Sequence, residues 1–168
     1  MNNKKLKYIV GTLMIMMFVT FTSCDKVEDP NIGGTSVEAM SGDWYVQLLI
    51  DGEDAYGLGY MLISTYNTAA DNGTEMWIDD QHNVWWFKAK TPVDINSLTF
   101  SGNDLPSSVD GYDITLNISN GIITKGDVLT EAGNPTDGIS LDIEFSDDPG
   151  TIYQLVGYKR TGFAEDEH

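Results

Sequence analysis

Histidine, the side chain used most often in acid–base catalysis, is rare in this 168-residue chain, which has only His82 and the terminal His168. A serine hydrolase needs a histidine within hydrogen-bond reach of the nucleophile and a third group that orients the histidine. Asp79 and Asp80 come just before His82, but no Gly-x-Ser-x-Gly motif occurs and nothing in the sequence places a serine beside this histidine. We therefore predict no catalytic residue and keep His82 as the one candidate base.

Carboxylates are abundant, with 26 Asp and Glu against 9 Lys and Arg and a net charge of -17. With so many acidic residues, no single pair of carboxylates stands out as the catalytic pair of a glycosidase. The loops at Asp71, 79–80 and 147–148 carry oxygen ligands of the kind that Ca²⁺ prefers, but none has EF-hand spacing. We expect no metal site and no cofactor. The acidic balance also argues against nucleic acid as a partner, since that affinity comes from basic residues.

Cys24 is the only cysteine, so an intramolecular disulfide is excluded. It follows a basic start at residues 1–7 and an apolar run at residues 8–22. Fifteen apolar residues are short for a membrane-spanning helix but typical of a signal peptide. The run ends in Phe-Thr-Ser-Cys, which resembles the lipobox of bacterial lipoproteins. The resemblance implies that residues 1–23 are removed and that Cys24 is lipidated; the alternative is a chance cysteine.

Residues 24–40 are predicted to form an acidic tether, because residues 25–30 (DKVEDP) lack apolar periodicity. Acidic residues directly after the lipidated cysteine resemble the surface-export signal of Bacteroidetes lipoproteins. That resemblance implies a protein anchored by lipid to the bacterial outer membrane, exposed to the outside of the cell. A plain solvated linker is the alternative interpretation.

The rest of the chain predicts an all-β domain at residues 41–164, followed by an acidic tail at 165–168. Apolar and polar residues alternate with a period of two, most clearly at 112–118 and 139–145, and turn sequences separate the runs. No convincing helical period follows residue 24. Eight or nine antiparallel strands fit either a closed up-and-down barrel or a two-sheet sandwich.

The ends of this domain favour the barrel. Gly42 and Trp44 open the first strand and Arg160 closes the last, a pairing that resembles lipocalin-like barrels, in which a cation packs on the indole and closes one end. Together with the lipobox and the alternation, it makes the chain similar to the Bacteroidetes lipoproteins known as lipid-binding putative hydrolases. The resemblance implies an antiparallel up-and-down barrel of about eight strands that binds a lipid or another small hydrophobic ligand.

Aromatic residues are candidates for the wall of such a binding cup. In the run 84–90 we place Trp85 and Phe87 on the inner face, and Trp86 on the outer face with Lys88 and Lys90. The predicted cup consists of Trp77, Trp85, Phe87, Tyr60 and Tyr66. A structural role in the core is the alternative for each of them.

Three functions are compatible with these observations. The first is a non-catalytic lipoprotein that binds a hydrophobic ligand in its barrel. The second is a hydrolase that acts on a lipid-like or glycan substrate, as the family resemblance implies. The third is a surface accessory protein with a filled barrel, which makes contacts through patches such as Trp86.

Overall fold

The structure, a computed structural model, describes residues 33–168. The predicted signal peptide, Cys24 and most of the predicted tether lie outside the described residues. Nine strands make up most of the described chain: β1 Gly42–Ile50, β2 Glu53–Asp54, β3 Met61–Asn67, β4 Glu75–Asp79, β5 Lys88–Asp94, β6 Thr99–Pro106, β7 Thr115–Leu129, β8 Pro135–Phe145 and β9 Tyr153–Lys159.

The strands form one antiparallel sheet that closes on itself. Apart from β2, which only extends the end of β1, each strand pairs with its neighbours in the chain, and β9 returns to pair with β1. Eight strands therefore form a closed up-and-down barrel. The prediction of this barrel is confirmed, and the sandwich alternative is wrong.

Helical structure within residues 33–168 is limited to two short 3₁₀ turns, Glu38–Met40 and Ala164–Asp166. No helix in this part of the chain has the length and apolar character needed to cross a membrane.

The interior of the barrel is filled by apolar side chains. In β8, for example, Ile139, Leu141, Ile143 and Phe145 are buried and the residues between them are more exposed, as the alternation predicts. Side chains from the other strands meet them, and the following are at most 1% exposed: Trp44, Leu48, Ile63, Met76, Ile78, Phe87, Leu116, Ile118 and Leu155. An eight-stranded barrel has just enough interior volume for such side chains.

Both ends of the described chain pack onto the barrel. Val37 is 1% exposed and Met40 is fully buried, and the carbonyl oxygen of Met40 accepts a hydrogen bond from Thr65 Oγ1 at 2.6 Å. At the other end Asp166 is 1% exposed, and the ring of His168 stacks on an aromatic side chain of the barrel. The folded unit thus includes Gly34–His168 and extends beyond the predicted domain boundaries at residues 40 and 165.

Trp44 closes one end of the barrel, but its cation is Lys159 and not the predicted Arg160. The Nζ atom of Lys159 lies 5.8 Å from the indole centroid and donates a hydrogen bond to the carbonyl oxygen of Ser41 at 3.0 Å. Lys159 is the direct β9 partner of Trp44, so the two side chains share the inner face. Arg160, one residue later, forms an ion pair with Glu167 at 2.7 Å on the surface.

Gly42 belongs to the same closure. A Cβ atom at this position would lie 2.7 Å from Cε of Lys159. The absence of a side chain at Gly42 therefore leaves the space that the lysine stem occupies. On the other side of the indole, Nε1 of Trp44 donates to Thr65 Oγ1 at 2.8 Å.

These contacts predict different costs for two neighbouring cations. Lys159→Met keeps the stem but removes the ammonium group from the indole and from the Ser41 carbonyl, and we expect it to lower the free energy of unfolding by about 1 kcal/mol. Arg160→Met, the matched control, removes a surface ion pair and should cost less. Urea denaturation of the two variants measures the difference, and a larger loss for Arg160→Met would contradict this assignment.

Candidate functional site

The end of the barrel opposite Trp44 carries four connections, at residues 51–60, 80–87, 107–114 and 146–152. In an antiparallel up-and-down barrel alternate connections lie at the same end, which places these four together. We call them the loop end. Contacts between their side chains confirm that they meet, because Tyr56 lies 6.3 Å from Trp85, ring centroid to centroid, and Nε1 of Trp85 donates to Asp147 Oδ1 at 3.1 Å.

The 80–87 connection is organised by the buried carboxylate of Asp80. It accepts hydrogen bonds from four backbone N–H groups, those of His82 at 2.9 Å, Val84 at 3.2 Å, Trp85 at 2.7 Å and Trp86 at 2.6 Å. Asp80 is 0% exposed. Hydrogen bonds to an ionised acceptor are stronger than neutral ones, so this side chain fixes the conformation of the whole connection.

The predicted strand at 84–90 is therefore wrong in its first half, because β5 begins only at Lys88. The N–H groups of Val84, Trp85 and Trp86 go to Asp80 and not to a neighbouring strand, and Trp86 has a positive φ of 61°. The assignment of faces agrees with the structure even so. Phe87 is fully buried, and Trp86 is 51% exposed.

Trp85 covers the top of the filled interior. Its ring is parallel to that of Phe145, 5° apart in plane and 4.5 Å between centroids, and it also lies 5.1 Å from the ring of Tyr153. Phe87 packs beneath, 5.7 Å from Phe145. An aromatic pair of this kind contributes about 0.5–1.5 kcal/mol beyond simple burial. Trp85 is thus the outermost layer of the core at the loop end.

Two tyrosines connect the first and fourth connections through their hydroxyl groups. The hydroxyls of Tyr56 and Tyr153 lie 2.8 Å apart, and that of Tyr153 donates to Asp148 Oδ2 at 2.7 Å. Burial raises the pKa of Tyr153, and its hydrogen bonds to Tyr56 and Asp148 raise the pKa further. The Tyr153 phenol therefore stays protonated and keeps donating at every physiological pH.

The third connection is held in the same way. The hydroxyl of Tyr112 donates to the carboxylate of Asp147, which also accepts from Trp85. The hydrogen bond to Asp147 raises the pKa of Tyr112, and burial adds to the effect. The first, third and fourth connections thus converge on the aromatic layer around Trp85, which itself belongs to the second.

Large apolar side chains remain exposed around this layer. Tyr56 is 57% exposed, Leu58 48%, Trp86 51% and Ile152 62%, and they come from three different connections. Single exposed apolar residues are ordinary, but several at one end of a molecule indicate a surface that contacts something apolar.

His82 lies at the edge of this surface, with its ring 4.7 Å from that of Trp86. Among the described residues, no serine hydroxyl or carboxylate forms a hydrogen bond with its ring, and only its backbone N–H is engaged, by Asp80. The arrangement of a nucleophile, a base and an orienting acid is thus not formed around His82 in residues 33–168. The same residues contain no cluster of three or more His, Cys, Asp or Glu side chains arranged to hold a metal ion.

Trp77 and Tyr66, which we predicted inside the cup, lie on the outer face of the barrel. Trp77 alternates with Met76 and Ile78, both fully buried, so its ring must point the other way. The Nζ atom of Lys88 lies 5.3 Å from the ring centroid of Tyr66 and 5.2 Å from that of Trp77. The predicted position of these two aromatic side chains is therefore wrong.

Asp79 completes this outer cluster, and its carboxylate accepts a hydrogen bond from the Tyr66 hydroxyl at 2.7 Å. Burial alone would raise the pKa of Asp79, but the hydrogen bonds from Tyr66, from the Gln81 N–H and from Lys88 together lower it. The hydrogen bond with Tyr66 is the main cause of the raised pKa of Lys88. The cluster is a satisfied ion pair packed on aromatic rings.

Tyr60 also lies outside the barrel. Its ring stacks on that of His168 at 4.4 Å and lies 5.1 Å from that of Tyr158. Of the five residues predicted for the cup, only Trp85 and Phe87 are brought together, and both are part of the closed core.

Sequence reasoning missed Asp80, Tyr56 and Tyr153 as organisers of the loop end. Tyr153 could have been found, because it continues the inward alternation of β9 with Leu155. Tyr56 and the role of Asp80 had no sequence signal, since a tyrosine or an aspartate in a turn is ordinary.

The contacts of Asp80 predict that replacing its carboxylate by an amide disorders the 80–87 connection. Asp80→Asn replaces one acceptor by a donor facing N–H groups, and we expect the free energy of unfolding to fall by about 2–3 kcal/mol. Asp110→Asn, an exposed carboxylate at the same end, is the control and should have little effect. Thermal denaturation followed by tryptophan fluorescence measures both, and equal stability of the two variants would contradict the proposed role of Asp80.

The comparisons with known proteins agree with this architecture. The family model described as "lipid-binding putative hydrolase" matches residues 29–164, a segment that includes every strand from β1 to β9. No curated protein matches the chain at a significant level. Because the match covers well over half of the sequence, the chain belongs to the family of lipid-binding putative hydrolases.

Proposed function

We propose that this protein is a lipoprotein that binds a lipid or another small hydrophobic ligand at the loop end of its barrel, without carrying out a reaction on it. The observation that carries the proposal is the group of exposed apolar side chains, Tyr56, Leu58, Trp86 and Ile152, around the Trp85 layer. Membership of a lipid-binding family supports a lipid as the ligand class.

The ligand meets a surface on which exposed apolar side chains lie among carboxylates of the four connections, such as Asp54, Asp110 and Asp147. Removing apolar area from water gains about 25 cal/mol per Å², or about 0.8 kcal/mol for each buried methylene. The stack of Trp85 on Phe145 is worth about 0.5–1.5 kcal/mol beyond burial. Two methylenes of an acyl chain thus gain about as much as the stacking energy alone. Displacing Trp85 would also cost its burial and its hydrogen bond to Asp147, so we expect the ligand to lie on the loop end and not inside the filled barrel.

We propose binding without a reaction because of the surroundings of His82. Its ring contacts Trp86 and forms no hydrogen bond with a serine or a carboxylate in the described part of the chain. A general base must lie within hydrogen-bond reach of the proton that it removes and must be oriented by a further group. Neither condition is met around His82, which favours binding over hydrolysis.

The membrane attachment is part of the same proposal. Lipidation of Cys24 would anchor the protein to the bacterial outer membrane, and the acidic residues after it support exposure on the cell surface. Between Cys24 and the folded unit, which starts at Gly34, the chain can span about 3.3–3.6 Å per residue, roughly 35 Å in total. That distance keeps the barrel close to the lipid surface from which it would take its ligand.

Removal of Trp86 tests the binding surface. We expect Trp86→Ala to weaken binding of a lysophosphatidylcholine with a brominated acyl chain about tenfold, measured by bromine quenching of the remaining tryptophans. Trp86 is half exposed, so its loss should leave the fold intact. Trp77→Ala removes an indole from the outer face and is the matched control. Equal affinities of the two variants, or no quenching of the unsubstituted protein, would contradict the proposal.

Substitution of the only cysteine tests the anchor. Cys24→Ser removes the thiol that would be lipidated and should release the protein from the membrane fraction. Metabolic labelling with a radioactive fatty acid, followed by fractionation, measures the result: we expect label on the unsubstituted protein and none on the variant. An unlabelled protein that carries Cys24 would contradict lipidation.

A further inference from the structure

The outer wall of the barrel has a second apolar concavity, on the face formed by β7, β8, β9 and β1. Its volume is about 320 Å³, within the range of small-ligand sites. We call it the outer groove and define it by the side chains that line it: Leu49, Tyr60, Ile122, Leu129, Val156 and Tyr158. Tyr60, the last residue of the 51–60 connection, is the only residue of the loop end that lines it.

The groove exists because β7 bends away from a regular path. The register of β7 against β8 shifts between Thr124 and Val128, where Gly126 has a φ of 63°. Asp137 stabilises this bulge by accepting hydrogen bonds from the Gly126 N–H and from Lys125 Nζ, both at 2.9 Å. A bulge increases the local twist of a strand. The last residues of β7 thereby form one side of the groove.

At the bottom of the groove lies Gly138, which has no side chain to fill the space. A Cβ atom there would lie 2.5 Å from Cγ2 of Val128 and 2.6 Å from Oγ1 of Thr124. Val128 therefore packs directly on the β8 backbone, which leaves the space above it open.

Apolar side chains are exposed to solvent along the groove, on an outer sheet face where polar side chains would be expected. Leu129 is 65% exposed, Val156 42% and Ile122 38%. No charged side chain lines the groove, in a chain that contains 26 acidic and 9 basic residues, although the polar residues Gln47, Thr124 and Ser140 contribute to its lining. The surface therefore matches a ligand segment that is both apolar and uncharged.

Aromatic rings close one end of the groove. Tyr60 and Tyr158 line it, and the ring of His168 stacks on Tyr60. Burial raises the pKa of Tyr60, with a smaller contribution from the charge of Glu131, and burial is also the main cause of the raised pKa of Tyr158. Both phenols are therefore neutral, and the uncharged lining extends to this end.

We propose that the outer groove binds one acyl chain of a lipid that has no net charge. The ligand class rests on the proposed function, but the site is separate from the loop end. A net charge of -17 disfavours anionic lipids at the surface around the groove, whereas a zwitterionic or uncharged headgroup meets no such repulsion. The apolar chain fills the groove, and its headgroup stays in water.

Two other occupants fit the geometry less well. An extended peptide binds a sheet by adding a strand to a free edge. The edge nearest the groove is the end of β7 after Ile123, which is paired with β8 only, so a peptide would bind beside the groove and not along its floor. A second copy of the chain, related by a two-fold axis, would place one concave groove against another and leave a void between them. A single flexible chain of methylenes has neither problem.

Binding of a spin-labelled lipid to the purified full chain tests this site. The probe is a lysophosphatidylcholine with a nitroxide near the methyl end of its acyl chain, and electron paramagnetic resonance measures its immobilised fraction. Leu129→Glu and Val156→Glu each place a carboxylate in the groove at an exposed position that should tolerate it. We expect each to abolish the share of immobilised probe that the groove holds, because an acyl chain there would have to desolvate the charge. The share held at the loop end should remain and should be the one that Trp86→Ala reduces.

The controls separate this site from the loop end. Ile95 is an exposed isoleucine in the β5–β6 turn, and Ile95→Glu should leave probe binding unchanged. Lysophosphatidylglycerol with the same label, which is anionic, should bind more weakly than the zwitterionic probe. Unchanged binding by Ile95→Glu and weaker binding of the anionic probe support the inference, together with the loss of probe binding in the two groove variants.

Three results would overturn it. If Trp86→Ala abolishes probe binding while both groove variants bind normally, the inference fails and the proposed function remains. If the unsubstituted protein immobilises no probe and shows no bromine quenching, both fail. If analytical ultracentrifugation shows a dimer that Leu129→Glu converts to a monomer without any change in probe binding, the groove is a contact between copies.

Discussion

The pairing of β9 with β1 is the constraint on which the rest of the structure depends. It extends from Trp44 opposite Lys159 to Leu49 opposite Gln154 and converts a meander of strands into a closed barrel. Glycine is required within it, because a Cβ at Gly157 would overlap the carbonyl oxygen of Tyr45. Once the barrel is closed, its two ends become different surfaces. One end is sealed by Trp44 and Lys159, and the other is left to four connections.

Closure also explains why the apolar surface is found outside the barrel. Eight strands enclose little volume, and the inward side chains fill it up to Phe145 and Trp85. Apolar side chains beyond that number remain at the loop end and along the bent part of β7. The many surface carboxylates keep such a molecule soluble, so exposed apolar patches are tolerated.

Much of the fold could be predicted from the sequence, because alternation is a local property. The run 139–145 shows its buried face directly, and the Gly-x-Trp start indicates a closed end. Register is not local, however. A shift of one residue in β9 exchanges Lys159 for Arg160 on the inner face, and only the alternation of Tyr153 and Leu155 indicates which of the two points inward.

The candidate site was harder to predict than the fold. In β4 the run Met76, Trp77, Ile78 is apolar on both faces, so its phase could not be assigned and Trp77 was placed inside. In the 80–87 connection a strand-like sequence is held out of the sheet by one carboxylate, and propensity gives no indication of such a tertiary contact. Tyr56 joins the site only because folding brings two distant connections together.

The central claim is that a lipid contacts the loop end. Hydrogen–deuterium exchange of the protein, with and without saturating lysophosphatidylcholine, tests it most directly because it reports every connection separately. Our account predicts slower exchange at residues 51–60, 80–87 and 146–152 when lipid is bound, and no change in the β5–β6 turn. Unchanged exchange in all three of those connections at saturating lipid would contradict it.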